Sequence, residues 1–181
     1  MTTPTAPPRS RTTTWEDPRI GAQAGAQMAG LEYLRAMIAG NLPPAPLAQT
    51  VGFALVEAGE GYAAFEIEPM EFHYNPSGAV HGGVACTLLD SAMGCAVHST
   101  LSAGIGYTTV ELKVNLVRAI TVDAGPLRAE GRIVHRGSRI ATAEGHLRDH
   151  AGRLYAHGTT TCIILSRASG ERPPAEGARD S

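Results

Sequence analysis

No stretch of this 181-residue chain approaches the ~18 consecutive apolar residues that a membrane-spanning helix needs. The N-terminus has no apolar core of the secretory kind, so no export signal is expected. Cysteine is scarce: Cys86, Cys95 and Cys162 form neither an even disulfide set nor a CxxC pair, which points to a reducing cytoplasm. Lysine is almost absent, Lys113 being the one Lys among fifteen basic residues. Net charge is only -2, which removes the simplest basis for binding nucleic acid or an anionic membrane. The seven histidines show neither an HxxxH helix spacing nor a Cys/His finger spacing, so no metal is expected. Aromatic residues number nine against 21 glycines, an unusual balance for a chain that must build a core.

Two end segments have the composition of tails. Residues 1–19, with six Thr before Trp15 and Pro18, bury too little to offset their ordering entropy, and 167–181 reads the same way. Residues 20–45 hold an N-terminal helix over Gln27–Ala39, where Met28, Leu31, Leu34 and Ile38 recur at three- and four-residue steps. Gly40 then caps it, and the run Leu42–Pro46 (LPPAP) forms a linker.

The remaining 46–166 forms one domain. Two short strands between Val51 and Ile67 flank a Gly59-Glu60-Gly61 turn. Residues 71–83 are a loop by composition, and 84–98 a helix so apolar on every side that it must be buried. Thr109–Val117 alternates, with Val110, Leu112, Val114 and Leu116 on one face and Glu111, Lys113 and Asn115 on a solvated one. Strands over 127–135, 139–149 and 154–165 follow through tight turns, which require antiparallel neighbours. The expected architecture is α+β, an antiparallel curved sheet wrapped around one central helix, with an extra N-terminal helix.

Asp90 stands in the middle of the most apolar helix, and Cys86, Thr87, Met93 and Gly94 around it cannot neutralise a carboxylate. Buried ionisable groups cluster at functional sites. The bland alternative is an Asp that bonds to loop backbone. At the start of the same helix, His81-Gly82-Gly83 offers unpaired N–H groups with room for a ligand to approach them. Such donors hold a developing oxyanion, and a carboxylate nearby completes a minimal site for acyl transfer. Eight residues of helix span about 12 Å, however, so one chain cannot easily bring both groups to one carbonyl. A two-fold partner could supply the other half.

The stretch Asn75–Val97 (NPSGAVHGGVACTLLDSAMGCAV) resembles the hotdog-fold acyl-CoA thioesterases of the PaaI type. The likeness runs through YTTVELKVNLVRA and HRGSRIATAEGHLRD. It implies hydrolysis of an acyl-CoA thioester to free acid and CoA, with no cofactor beyond the CoA of the substrate, in a homodimer or dimer of dimers. It casts Asp90 as nucleophile or general base, and the Gly82 N–H as the group that polarises the carbonyl. Asn75 and His81 become polar site residues, and Thr109 a hydroxyl that positions water. Ala119 stands where relatives commonly carry Pro, and Gly94 lacks the hydroxyl of one 4-hydroxybenzoyl-CoA branch. Met70, Phe72, Tyr74, Met93 and Val97 are candidate walls of the acyl pocket, and Gly83 lies beside the reacting group. Arg136, with Arg128, Arg132 and Arg139, either meets CoA phosphates or lies on a solvated sheet face. The alternative function is a non-catalytic acyl-CoA sensor; a dehydratase fits less well, its His and acid motifs being absent.

Overall fold

The structure is a computed structural model that describes residues 8–165; the expected tail at 167–181 lies outside the described residues. Among the described residues four α-helices and six strands follow one another: α1 Pro18–Gly25, α2 Gly30–Ile38, α3 Pro46–Val51, β1 Phe53–Gly59, β2 Tyr62–Ile67, α4 Gly82–His98, β3 Gly106–Leu116, β4 Leu127–Arg136, β5 Ile140–Asp149 and β6 Leu154–Leu165. The strands form one antiparallel sheet in the order β1-β2-β4-β5-β6-β3, and α4 packs across its inner face. This is the hotdog arrangement the sequence suggested.

Glycines determine how closely α4 sits. Register places Gly131, Gly145 and Gly158 opposite one another on β4, β5 and β6, a row of bare backbone whose first two members lie beneath the helix and whose third lies against β3. A methyl at Gly131 would stand 2.3 Å from the Ala92 carbonyl oxygen, and one at Gly145 3.0 Å from Met93. With that row empty, Leu88, Leu89, Met93 and Val97 of α4 reach the sheet and are almost wholly buried with Leu127, Ala129, Ala143 and Leu147. Dense packing of this kind needs few aromatics.

The N-terminal region departs from expectation in three places. The helix assigned to 27–39 begins only at Gly30, and a separate α1 precedes it. Asp17 caps α1 by accepting from the Arg19 N–H at 2.9 Å, and Pro18 fills the first turn, where its missing N–H costs nothing. The linker ends in helix for the same reason, Pro46 opening α3. The tail is tied down from Arg11, which donates to the Thr50 and Gln49 carbonyls and lies 4.0 Å over the Phe72 ring.

Strand β3 also differs. It occupies one edge of the sheet, and Val110 is bulged out between Thr109 and Glu111. Among the described residues its apolar face is covered only at Val114, which packs against the core, while Val110, Leu112, Leu116 and neighbouring Val117 are exposed.

Candidate active site

Asp90 lies midway along α4 and is half-buried. Its Oδ1 accepts a 2.9 Å hydrogen bond from the Thr109 hydroxyl. The β-bulge at Val110 re-aims this end of β3, and Thr109 pairs there with Cys162 of β6. A bond between a hydroxyl and a carboxylate is charge-assisted and orients both groups.

Both groups border a cavity of about 690 Å³. Ser91, Cys95 and His98 continue its α4 wall, and its other walls come from α2, the linker, α3 and β1. Burial pushes the Cys95 thiol up to about 12 and the Tyr107 phenol well above its usual range, so both remain neutral at pH 7. Cys95 is therefore a poor nucleophile, and Asp90 is the carboxylate that α4 contributes to this wall.

At the other end of α4 a second groove, of about 350 Å³, is bordered by Asn75, Gly82, Leu116 and Arg118. Here the helix start is partly spent. His81 Nδ1 accepts from the Gly83 N–H at 2.9 Å, which leaves the ring proton on Nε2. The Gly82 N–H, in contrast, donates to no acceptor among the described residues. Asn75 uses its Oδ1 to close a turn, accepting from the Ser77 N–H at 2.9 Å and the Ser77 hydroxyl at 2.6 Å. Its side-chain NH₂ makes no bond among the described residues.

Two pairs are thus assembled, Asp90 with Thr109 and Asn75 with Gly82, in separate depressions of one chain. Other candidates fall elsewhere. Met93 and Val97 are sealed beneath the sheet and border neither depression, because the glycine row draws their face of α4 inward. The Tyr74 hydroxyl accepts from the Val122 N–H at 2.8 Å and braces a loop. Met70 and Phe72 are exposed, and Phe72 lies beneath Arg11. Arg136 ends β4 on the surface, while Arg128 is held in a cluster with Glu57, Glu66 and Glu130. Residues 70–74 and Met93 thus do not border the Asp90 cavity, which is walled instead by α2, the linker, α3 and β1. The three- and four-residue spacing in α2 marked an inward face, but nothing local in the sequence said that the face overlies a cavity.

Residues 77–156 match the family model of the thioesterase superfamily. A Saccharolobus solfataricus protein described as an esterase is 28% identical over 111 residues, 61% of this chain and 77% of that one. A 1,4-dihydroxy-2-naphthoyl-CoA hydrolase of Listeria monocytogenes is 23% identical over 121 residues, 67% of this chain and 97% of its own. Among solved structures, a Ralstonia eutropha protein described as a thioesterase related to phenylacetic acid degradation superposes with a TM-score of 0.66 at 28% identity, over 72% of this chain and 98% of that one.

Proposed function

Since the chain belongs to the thioesterase superfamily, we propose that it hydrolyses an acyl-CoA thioester in a site made by two copies. The observation that carries this reading is the division of the reactive groups. Asp90 and Thr109 border one cavity, while the free Gly82 N–H and Asn75 border another.

The free edge strand β3 connects the two halves. Thr109 lies towards one end of β3, and Leu116, at the other, is the side chain that a methyl on Gly82 would strike. Antiparallel pairing of two β3 strands centred on Lys113, with Val110 bulged out, brings Thr109 of one copy opposite Leu116 of the other. The two-fold axis repeats the arrangement, so both cavities are completed at once. The same pairing covers Val110, Leu112 and Leu116 and satisfies the unpaired edge backbone.

In each site the thioester oxygen accepts from the Gly82 N–H of one copy at the positive end of α4. Asp90 of the other copy, oriented by Thr109, attacks the carbonyl carbon or takes a proton from the water that does so. If Asp90 attacks, the C–S bond breaks, CoA leaves as the thiolate, and water then cleaves the acyl-Asp90 anhydride to the acid and restores the carboxylate, its spare proton passing to CoA. If water attacks, the tetrahedral intermediate expels CoA, which takes up the proton that Asp90 removed, and the acid is released. The Asn75 side-chain NH₂ orients the carbonyl or the water. His81 holds the first turn of α4 in place by its bond to Gly83.

Free-thiol release from a panel of acyl-CoAs measures the activity, and subunit mixing measures the sharing. Gly82→Pro deletes the proposed donor at a helix position that accepts proline, behind a His81 backbone already extended at ψ 132, and its ring displaces only the flexible end of Leu116, so sedimentation must show that the variant still dimerises. Gly82→Pro and Asp90→Asn should each be nearly inactive alone. Randomly mixed dimers should recover about a quarter of wild-type activity, because each mixed dimer holds one intact site. A mixture as inactive as its components excludes the shared site, and turnover by Asp90→Asn equal to wild type excludes the chemistry.

A further inference from the structure

On the basis of this thioesterase reading, we propose that the segment from α2 to β1 forms the acyl-binding wall and selects uncharged acyl groups that extend well beyond the carbonyl. All of this segment, residues 30–59, precedes the 77–156 region that matches the family model. Tyr33 and Met37 of α2, Pro43 and Pro44 of the linker, Leu47 of α3 and Leu55 of β1 all border the Asp90 cavity. Its volume of about 690 Å³ lies in the range of sites that enclose whole drug-sized ligands, far more than an acetyl group fills.

The charge on the wall narrows the class further. Neither Lys nor Arg is among the bordering residues, and the charged groups are the acids Glu16 and Asp90. His98 adds no cation at neutral pH, since burial pushes its pKa down. Both its ring nitrogens are sealed from solvent, so the ring offers the cavity no polar atom. An acyl group with a carboxylate at its far end would find no counter-ion on the wall, where the one charged group away from the carbonyl is the like-charged Glu16. The CoA phosphates are excluded on the same grounds and belong outside. A neutral aliphatic or aromatic acyl group loses nothing there and gains by burial.

The test is kcat/KM across straight-chain acyl-CoAs of increasing length, with ω-carboxyl counterparts, alongside equilibrium binding of non-hydrolysable thioether analogues. Wild type should gain about fourfold per added methylene until the cavity is full. It should disfavour an ω-carboxyl acyl group by at least about a hundredfold against its methyl-ended equivalent. Met37→Trp, which fills the cavity, should lower the ratio of long-chain to short-chain kcat/KM by at least about tenfold. Leu47→Arg alters an exposed position on the same wall and should raise the ω-carboxyl to methyl-ended ratio by about tenfold, independently of how Met37→Trp folds. Turnover that ignores chain length, or two folded variants that scale every substrate alike, overturns the proposed wall and leaves the hydrolase standing. Length-dependent thioether binding with no turnover of any substrate supports the wall and overturns the hydrolase.

Discussion

His98, in the last turn of α4, gives a prediction that tests the described packing without any assumption about activity. Its ring lies between Tyr33, edge-on with centroids 5.5 Å apart, and Tyr107 at 5.6 Å. Helix α2 presses on its backbone so closely that a methyl at Gly30 would stand 1.8 Å from the His98 carbonyl oxygen. Both ring nitrogens are buried without a hydrogen-bond partner among the described residues. His73, also buried, shows the contrast: its Nδ1 accepts from the Met70 N–H at 2.9 Å and its Nε2 bonds the Val51 carbonyl at 2.7 Å. An unmet buried polar atom costs about 1–3 kcal/mol. His98→Phe removes two such atoms and keeps an aromatic ring between the tyrosines, at the cost of some crowding. The net gain expected at pH 7.5 is about 1–3 kcal/mol, or roughly 5 °C in Tm for a chain of this size. A pH dependence accompanies it. Burial lowers the His98 pKa below its ordinary value, so the unfolded chain binds the proton more readily than the native one. Stability conferred by the neutral ring is therefore complete above the unfolded-state pKa of about 6.5. It declines as pH falls from there to the lowered native value. Urea titrations of wild type and His98→Phe at pH 7.5 and 5.5 isolate the effect, because the other histidines cancel in the difference. The reasoning fails if the variant is less stable by 1 kcal/mol or more at pH 7.5, or if the gap between the two proteins does not widen at pH 5.5.

Three further predictions concern the site and its supports. Thr109→Val removes the hydroxyl that orients Asp90 and should lower kcat by about ten- to a hundredfold with little change in KM; an unchanged kcat would sever Thr109 from the chemistry. Gly131→Ala places a methyl 2.3–2.5 Å from the backbone of Ala92 and Met93, where no flexible side chain can yield, and should cost about 3–5 kcal/mol in a urea titration. Leu112→Asp puts a charge at the middle of the exposed edge strand, and should yield an inactive monomer by sedimentation while leaving the melting of the single chain intact.

Elements were legible in the sequence wherever the signal was local. The segments between tight turns matched β4, β5 and β6 nearly to the residue, and the all-apolar segment matched α4, because each signal lies within ten to seventeen consecutive residues. Asp90 was conspicuous for the same reason, as a charge in an apolar run. Signals that depend on contact were not legible. The apolar side of β3 looked like a core face, and only sheet order shows it at an edge, with most of that side exposed among the described residues. Met93 and Val97 are apolar residues on the same helix as Asp90, but which face looks into a cavity depends on where the glycine row draws the helix down. The start of α1 was encoded locally, in Asp17-Pro18, and was hidden by a threonine-rich composition that argued for a tail.

The scarcity of aromatics and the glycine excess have one physical cause in this fold. Gly131, Gly145 and Gly158 are scattered over 28 positions of sequence, yet register aligns them in one row. A side chain on Gly131 or Gly145 would hold α4 away from the sheet, and one on Gly158 would strike the Lys113 carbonyl of β3. With backbone in contact, small residues such as Ala129, Ala141 and Ala143 suffice. That approach also sets the reach of the chemistry. Asp90 and Thr109 meet at 2.9 Å across elements separated by a loop, and each side chain is short. Raising the helix by the ~1 Å that one methyl demands would break that bond, since hydrogen bonds weaken steeply beyond about 3.2 Å. The glycine row thus belongs to the site as much as to the core.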